Sequence, residues 1–433
     1  MVALEKGALR GSGNPMNRYA IIADDFTGAG DSGVHFAVAG LKTALLLRHS
    51  ALSNAFTRYD AVALSTESRF LPAKDAAGMA AACAVACRRA GADTIYKKID
   101  STLRGNIGIE IEAVLIALEC ETAVICPAMP KTGRGIRNGI LYLHGVPIHE
   151  TEMGRDPFNP VADAHIASII GIQTHLPIAQ VGLEDIRAGS GTLAARLERL
   201  AATGKRILVA DAETDDDLLV LTHALREVNC HSGGAQRFLP VGAGGLAEAL
   251  AGPPTPYLGD KPSGRLLAVI GSLTDTTMRQ IDCAVESGIY HILDLDMSRG
   301  MTDFSKEAER LRKEIHNVDG RSLLLKNLSL PEHSGKKIAT VDALKAAEVF
   351  AAMARMVCEQ AGIRQLYVTG GSTATAVTRE LGLDIVSLER ECMPGVVLGT
   401  CESGGLPLKW FIAKAGGFGR PDTLVRLAQQ LCL

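Results

Sequence analysis

Aromatic residues are scarce in this 433-residue chain, at 4%, with a single tryptophan, Trp410. That scarcity leaves no row of stacking platforms for single-stranded nucleic acid. Neither sign of charge dominates: 45 Lys and Arg stand against 48 Asp and Glu, for a formal net charge of −3. The two signs are interspersed, so there is no basic stripe of the kind that follows a phosphate backbone. The ten cysteines include no C-x-x-C pair, which argues against a zinc knuckle and a disulfide scaffold. Cys83 and Cys87, four apart on an alanine-rich helical stretch, fit free thiols in a reducing, cytoplasmic setting. No apolar run is long enough to span a bilayer, and residues 1–16 lack the apolar centre of a signal peptide, reading instead as a flexible tail. A Walker A sequence is also missing. The expected partners are small molecules, with no nucleic acid and no membrane; a homo-oligomer stays open, because nothing in the sequence bears on it.

What is present is an alternation of short β-branched runs with amphipathic stretches. YAIIAD, TALLL, AVALS, TIYKK, TAVIC, ILVAD and FLPVG follow one another from Tyr19, separated by helical patterns. A Pro/Gly-rich run without periodicity, GPPTPYLGDKPSG at 252–264, then precedes a second series: LLAVIGS, RSLLL, QLYVTGG, GVVLG and LKWFIAKAGG. The chain is too long for one ordinary core. The expected fold is therefore α/β, with two doubly wound α/β domains and a cleft between them: 17–251, a linker at 252–264, and 265–433.

Chemistry concentrates in KKIDSTLRGN, residues 97–106. TIYK upstream is extended, and GNIGIEIEAVLIALE downstream has apolar residues at helical spacing, beginning just after Ser101 and Thr102. The polar cluster thus falls at the carboxyl end of a strand, where open α/β sheets bind ligands, with helix amides expected to face the same place. Lys98 and Asp100 share one face of an extended segment. Arg104 adds a fork suited to a carboxylate or phosphate. A capped helix with a surface charge network is the plainer alternative.

The first strand ends in ADDFTGAGDSG, where Gly28, Gly30 and Gly33 reproduce the G-x-G-x-x-G spacing of a dinucleotide turn. Asp24 and Asp25 intervene, and two carboxylates would repel a pyrophosphate. They suit hydroxyl groups, a metal ion or a proton to be removed, although either could simply cap the next helix. STESRF brings Arg69 to the same rim as a second anion contact. Between Cys126 and Val161 lies a long segment whose ILYL and PIHE read as a hairpin around His144 and Gly145. Its Lys131, Arg134 and Arg137 could reach phosphates, yet a basic loop is more often simply solvated. In the second half, GSLTDTT, TGGSTATA and KAGGFGRPDT each follow an expected strand and offer glycine-backed amides and hydroxyls to an oxyanion.

Together, ADDFTGAGD, TESR, KKIDSTLRGN, CPAMP with GRGIRNG and RDPFNPV, VTGG and KAGGFG resemble the four-carbon acid sugar kinases, nearly end to end. The resemblance implies a substrate domain followed by an ATP domain, and transfer of a phosphoryl group to the terminal hydroxyl of a tetronate-type acid, with magnesium. By motif, Asp24, Arg69, Lys98, Ile99, Asp100 and Ser101 would hold the acid, and Asp25 and Arg104 join them by charge and position. Ser272, Gly370, Gly371, Ser372, Thr373, Gly416 and Gly417 would hold ATP. Asp24, Asp25 or Asp100 would orient and deprotonate the terminal hydroxyl, Asp25 ranking last because it could be occupied in capping, with Lys98 steadying the acid or the phosphate; metal ligands are not assigned. RDPFNPV looks more like the threonate and erythronate kinases than the 3-oxo-tetronate branch, making D-threonate the first choice. The sequence departs from the pattern at Ser372, where an acidic residue is common, and at Ala415, where a hydroxyl residue often stands. An NAD(P)-dependent oxidoreductase and a non-catalytic sugar-acid sensor are the alternatives of other classes.

Overall fold

The computed structural model describes residues 17–155, 160–230, 236–316, 318, 320–327, 340–402 and 405–432. The expected tail at 1–16, most of RDPFNPV (156–159) and the centre of CESGGLP (403–404) lie outside the described residues. The apolar runs form strands β1 (Tyr19–Ala23), β2 (Thr43–Leu46), β3 (Ala61–Ser65), β4 (Thr94–Lys98) and β5 (Thr122–Cys126). After a small antiparallel sheet of β6 (Arg134–Arg137), β7 (Ile140–Leu143) and β8 (Val146–Pro147) come β9 (Ile178–Val181), β10 (Ile207–Ala210) and β11 (Phe238–Gly242). The second half supplies β12 (Leu266–Ile270), β13 (Tyr290–Leu295), β14 (Ser322–Asn327), β15 (Gln365–Thr369), β16 (Ile385–Met393), β17 (Val396–Cys401) and β18 (Trp410–Lys414). Strands such as β5 and β12 are buried at every residue, which is why they read as continuous apolar runs rather than alternating ones.

All strands outside the small sheet join one 15-stranded sheet, in the order β13-β14-β12-β15-β18-β17-β16-β2-β3-β1-β4-β11-β5-β10-β9. The two expected α/β units are present, and they share this sheet: β2 of the first pairs antiparallel with β16 of the second, Leu46 opposite Ile385 and Thr43 opposite Leu388. Residues 252–264 are thus not the lone tie between the halves. That stretch is itself fastened to both, through the Thr255 amide on the Val38 carbonyl at 2.7 Å and the Arg390 guanidinium 5.1 Å from the Tyr257 ring centroid.

Strand direction reverses across the seam, since β18–β17, β17–β16 and β16–β2 are three successive antiparallel pairings. The twist accumulated over the intervening strands turns the carboxyl ends of both parallel sets toward one cavity. Helix α1 (Phe26–Val38) lies against this seam, and its Gly33 is required by that packing. A Cβ on Gly33 would stand 2.7 Å from that of Ala63 and 2.9 Å from Leu388 Cδ1. Among the described residues no helix is long and apolar enough to cross a membrane.

Candidate active site

The carboxyl ends of β1, β3 and β4 deliver a cluster of charges that is almost entirely paired within itself. Asp24 is 3% exposed and receives the Arg69 fork, Nε to Oδ2 at 2.8 Å and Nη2 to Oδ1 at 2.9 Å. Arg69 Nη2 also reaches Asp25 Oδ1 at 2.7 Å, and its Nη1 lies 3.8 Å from Asp100 Oδ1. Asp25 caps α1, accepting from the Gly28 amide at 3.1 Å and the Thr27 hydroxyl at 2.7 Å. Asp100 is held by Arg104 Nε at 2.8 Å and by the Thr102 hydroxyl. Behind them, Lys97 forms a fully buried pair with Glu110 at 2.8 Å.

These pairings set the electrostatics. Burial alone would raise the Asp24 carboxyl, but Arg69, with Lys97 and Lys98, holds it below its ordinary value. Burial likewise opposes ionisation of Asp100, and Arg69 and Arg104 overcome it, keeping that carboxyl well below the usual range. Glu67 differs. It opens into the cavity with a left-handed φ of 49°, accepts from the Ser65 hydroxyl at 2.5 Å, and has no ion pair among the described residues. Although the residue as a whole is exposed, protein around the cavity, the nearby Asp25 adding to it, pushes its carboxyl up to about 7.

From the other half, three turns meet so closely that only glycine fits at their contacts. A Cβ on Gly271 would fall 1.9 Å from Thr373 Oγ1, and one on Gly416 2.2 Å from Ser272 Oγ. Gly370, at φ +101°, precedes the helix Gly371–Glu380, whose first amides have no side-chain cap. The buried Lys414 ammonium holds the third turn from beneath, donating to the carbonyls of Ala415 at 3.0 Å, Gly416 at 3.2 Å and Phe418 at 3.0 Å. Its burial pushes its pKa down to about 7.

Both sets line one cavity of about 380 Å³. Asp24, Asp25, Arg69, Lys98, Asp100, Ser101 and Arg104 face it from one side, and Ser272, Gly370, Gly371, Ser372, Gly416 and Gly417 from the other. Two expected residues do not line it. Ile99 is 1% exposed and contributes its carbonyl to the Lys98 ammonium at 2.7 Å, while Thr373 packs under Gly271.

Other expectations need correction. The helix after KKIDSTLRGN begins at Ile107 rather than behind Ser101 and Thr102, and the Gln173 side chain takes its Gly108 amide at 2.7 Å, so that end offers little to an anion. Arg69 is not a free anion contact, because neighbouring carboxylates occupy Nε and Nη2. Of the three basic loop residues, Lys131 pairs with Glu248 and Arg137 with Glu213, whereas Arg134 turns into the cavity. Glu67, Asp31 and Glu152 were not among the expected site residues; only the position of Glu67, inside TESR at a strand end, signals it in the sequence.

A family model described as a sugar-binding N-terminal domain matches residues 19–250, and one described as a nucleotide-binding C-terminal domain matches residues 267–424. A D-threonate kinase of Salmonella typhimurium LT2 is 35% identical over 93% of this chain and 96% of its own. A 3-oxo-tetronate kinase of Methylobacterium radiotolerans is 30% identical over 93% of this chain and 96% of its own. A solved structure from Salmonella typhimurium LT2, described as a candidate tRNA synthase, superposes with a TM-score of 0.78 at 25% identity, over 97% of this chain and 100% of that one. Two matched domain models and near full-length relatives of this similarity lead to one conclusion: the chain belongs to the four-carbon acid sugar kinase family, which joins a sugar-binding amino-terminal domain to a nucleotide-binding carboxyl-terminal one.

Proposed function

We propose that this protein transfers the γ-phosphoryl group of ATP to the terminal hydroxyl of D-threonate, giving 4-phospho-D-threonate, and that it does so in the cytoplasm. The observation that carries this reading is the shared cavity, in which a charged, hydroxyl-binding rim faces three glycine-backed turns. Residues 17–251 would bind the acid and residues 265–433 the nucleotide, joined by 252–264. The higher identity to the D-threonate kinase than to the 3-oxo-tetronate kinase, 35% against 30%, supports the choice of acid. A net charge of −3 with mixed signs gives no reason to carry over the tRNA synthase description.

In this mechanism Lys98 steadies the acid's carboxylate, Arg104 holds Asp100 in place through Nε and Nη2, and Asp24 and Asp100 fix the acid's hydroxyls as hydrogen-bond acceptors. Both aspartates are depressed by their arginines and so are weak bases, which a loose phosphoryl transition state tolerates. Glu67 is the better proton acceptor, with a proton affinity close to neutral pH. The uncapped start of the helix Gly371–Glu380 and the Gly416–Gly417 backbone cradle the phosphates. Magnesium is not matched by a protein site: no group of three or more His, Cys, Asp or Glu among the described residues is placed to hold a metal ion. The ion would arrive on the phosphates of ATP, where it would offset their charge.

The test is product analysis. D-threonate incubated with ATP and the protein is expected to give a phosphate monoester on C4, read by phosphorus NMR with proton coupling. An ester at C2 or C3, or inorganic phosphate alone, would reject the assignment.

A further inference from the structure

Arg134 sits where a cation is costly unless an anion comes to it. Its backbone is fixed by exchange with Met129, N to O at 2.9 and 3.1 Å, and by pairing of β6 with β7 opposite Leu143. From there the guanidinium reaches across to the other half of the molecule, 5.7 Å from the ring centroid of Phe418, in the glycine turn after β18. Nη1 donates to the Thr132 hydroxyl at 2.8 Å, while Nε is buried without a partner. Among the described residues Arg134 forms no ion pair, although every other arginine of the cavity does. Burial lowers its pKa, and Asp100 and Asp31 offset this only in part. An unneutralised, partly desolvated guanidinium is expensive to keep, and its fork matches phosphoryl oxygens.

We propose that Arg134 is a catalytic residue that binds the transferring phosphoryl group between the nucleotide turn and the acid. The proposal rests on the kinase reading and adds a residue to it. In the step, the bond from the terminal hydroxyl oxygen to γ-phosphorus forms as the bond to the bridging oxygen breaks, releasing ADP. The hydroxyl proton passes to the Glu67 carboxylate. Arg134 exchanges no proton; it donates hydrogen bonds to oxygens whose charge shifts during transfer.

Arg134→Met and Arg134→Lys, each checked for an unchanged melting temperature, provide the test. Arg134→Met is expected to lower kcat about 10³-fold with KM for ATP and D-threonate within about threefold of wild type, and Arg134→Lys to recover part of the loss. Binding supplies a second readout. The complex with ADP, aluminium fluoride and D-threonate is expected to weaken about 100-fold in Arg134→Met, with ADP alone bound as in wild type. Equal weakening of ADP alone, a raised KM for D-threonate at unchanged kcat, or a variant as active as wild type would each overturn the proposal. Wild-type protein that turns over no four-carbon acid overturns the kinase reading itself, which separates the two failures.

Discussion

Replacing Arg69 with methionine removes the cation that Asp24, Asp25 and Asp100 share. The side chain is 10% exposed, and its bonds to Asp24 run at 2.8 and 2.9 Å, so the variant leaves the buried Asp24 carboxylate without its main partner. Breaking a buried pair from one side costs roughly 3–5 kcal/mol. For a cooperative unit the size of the amino-terminal domain, that lowers the melting temperature by on the order of 10 °C. The pH dependence fixes the cause. In the wild type, Asp24 and Asp100 lie below their ordinary value of 3.8, so the pairing contributes in full above that value and is lost only as pH falls through the depressed folded pKa values. In Arg69→Met, Asp24 loses its main cation and burial moves its carboxyl up, while Asp100 keeps Arg104, so acidification lets Asp24 protonate while the protein is still folded. The stability gap between the two proteins, measured by urea unfolding, is therefore expected to narrow by about 1 kcal/mol or more from pH 7 to pH 5. A gap under about 1 kcal/mol at pH 7, or one that is the same at both pH values, would refute the reasoning.

Three further outcomes follow from the same geometry. Glu67→Gln is expected to lower kcat roughly 100-fold and to abolish the rise in rate as pH passes upward through about 7, the region where the wild-type carboxyl ionises; a pH–rate profile of unchanged shape counts against Glu67 as proton acceptor. Gly271→Ala forces a methyl group onto Thr373, whose Cβ would lie 2.5 Å from the added carbon, and so is expected to cost roughly 1–3 kcal/mol and to raise KM for ATP more than KM for the acid. Lys414→Met leaves three carbonyls without their common donor; chemical denaturation should show a loss of about 3 kcal/mol, and a loss under about 1 kcal/mol would mean that water replaces the ammonium.

Much of the site was legible in the sequence because its residues sit directly after strands that are easy to read. Asp24 follows β1, Lys98 ends β4 and Ser272 follows the glycine after β12, each behind a buried apolar run that leaves no doubt about direction. What escaped depends on contacts between distant segments. Arg134 can be told from Lys131 and Arg137 only once the β6–β7 hairpin folds against Phe418, almost three hundred positions away in the order of the chain, while its two neighbours find Glu248 and Glu213. Arg69 looks available in TESR until Asp24, Asp25 and Asp100 close around it. The shared sheet was hidden for another reason: β2 is four residues long and β16 carries charged residues along its length, so neither announces a partner. The left-handed φ of Glu67, which aims it into the cavity, has no signature in residue type.

The most direct test of the central claim is kcat/KM for ADP release with ATP and magnesium, measured across D- and L-threonate, D- and L-erythronate and the 3-oxo-tetronates. Strong turnover of D-threonate is expected, at least about tenfold above every other acid in the set. Preference for a 3-oxo-tetronate would contradict the choice of substrate, and ADP release with none of these acids would contradict the kinase reading altogether.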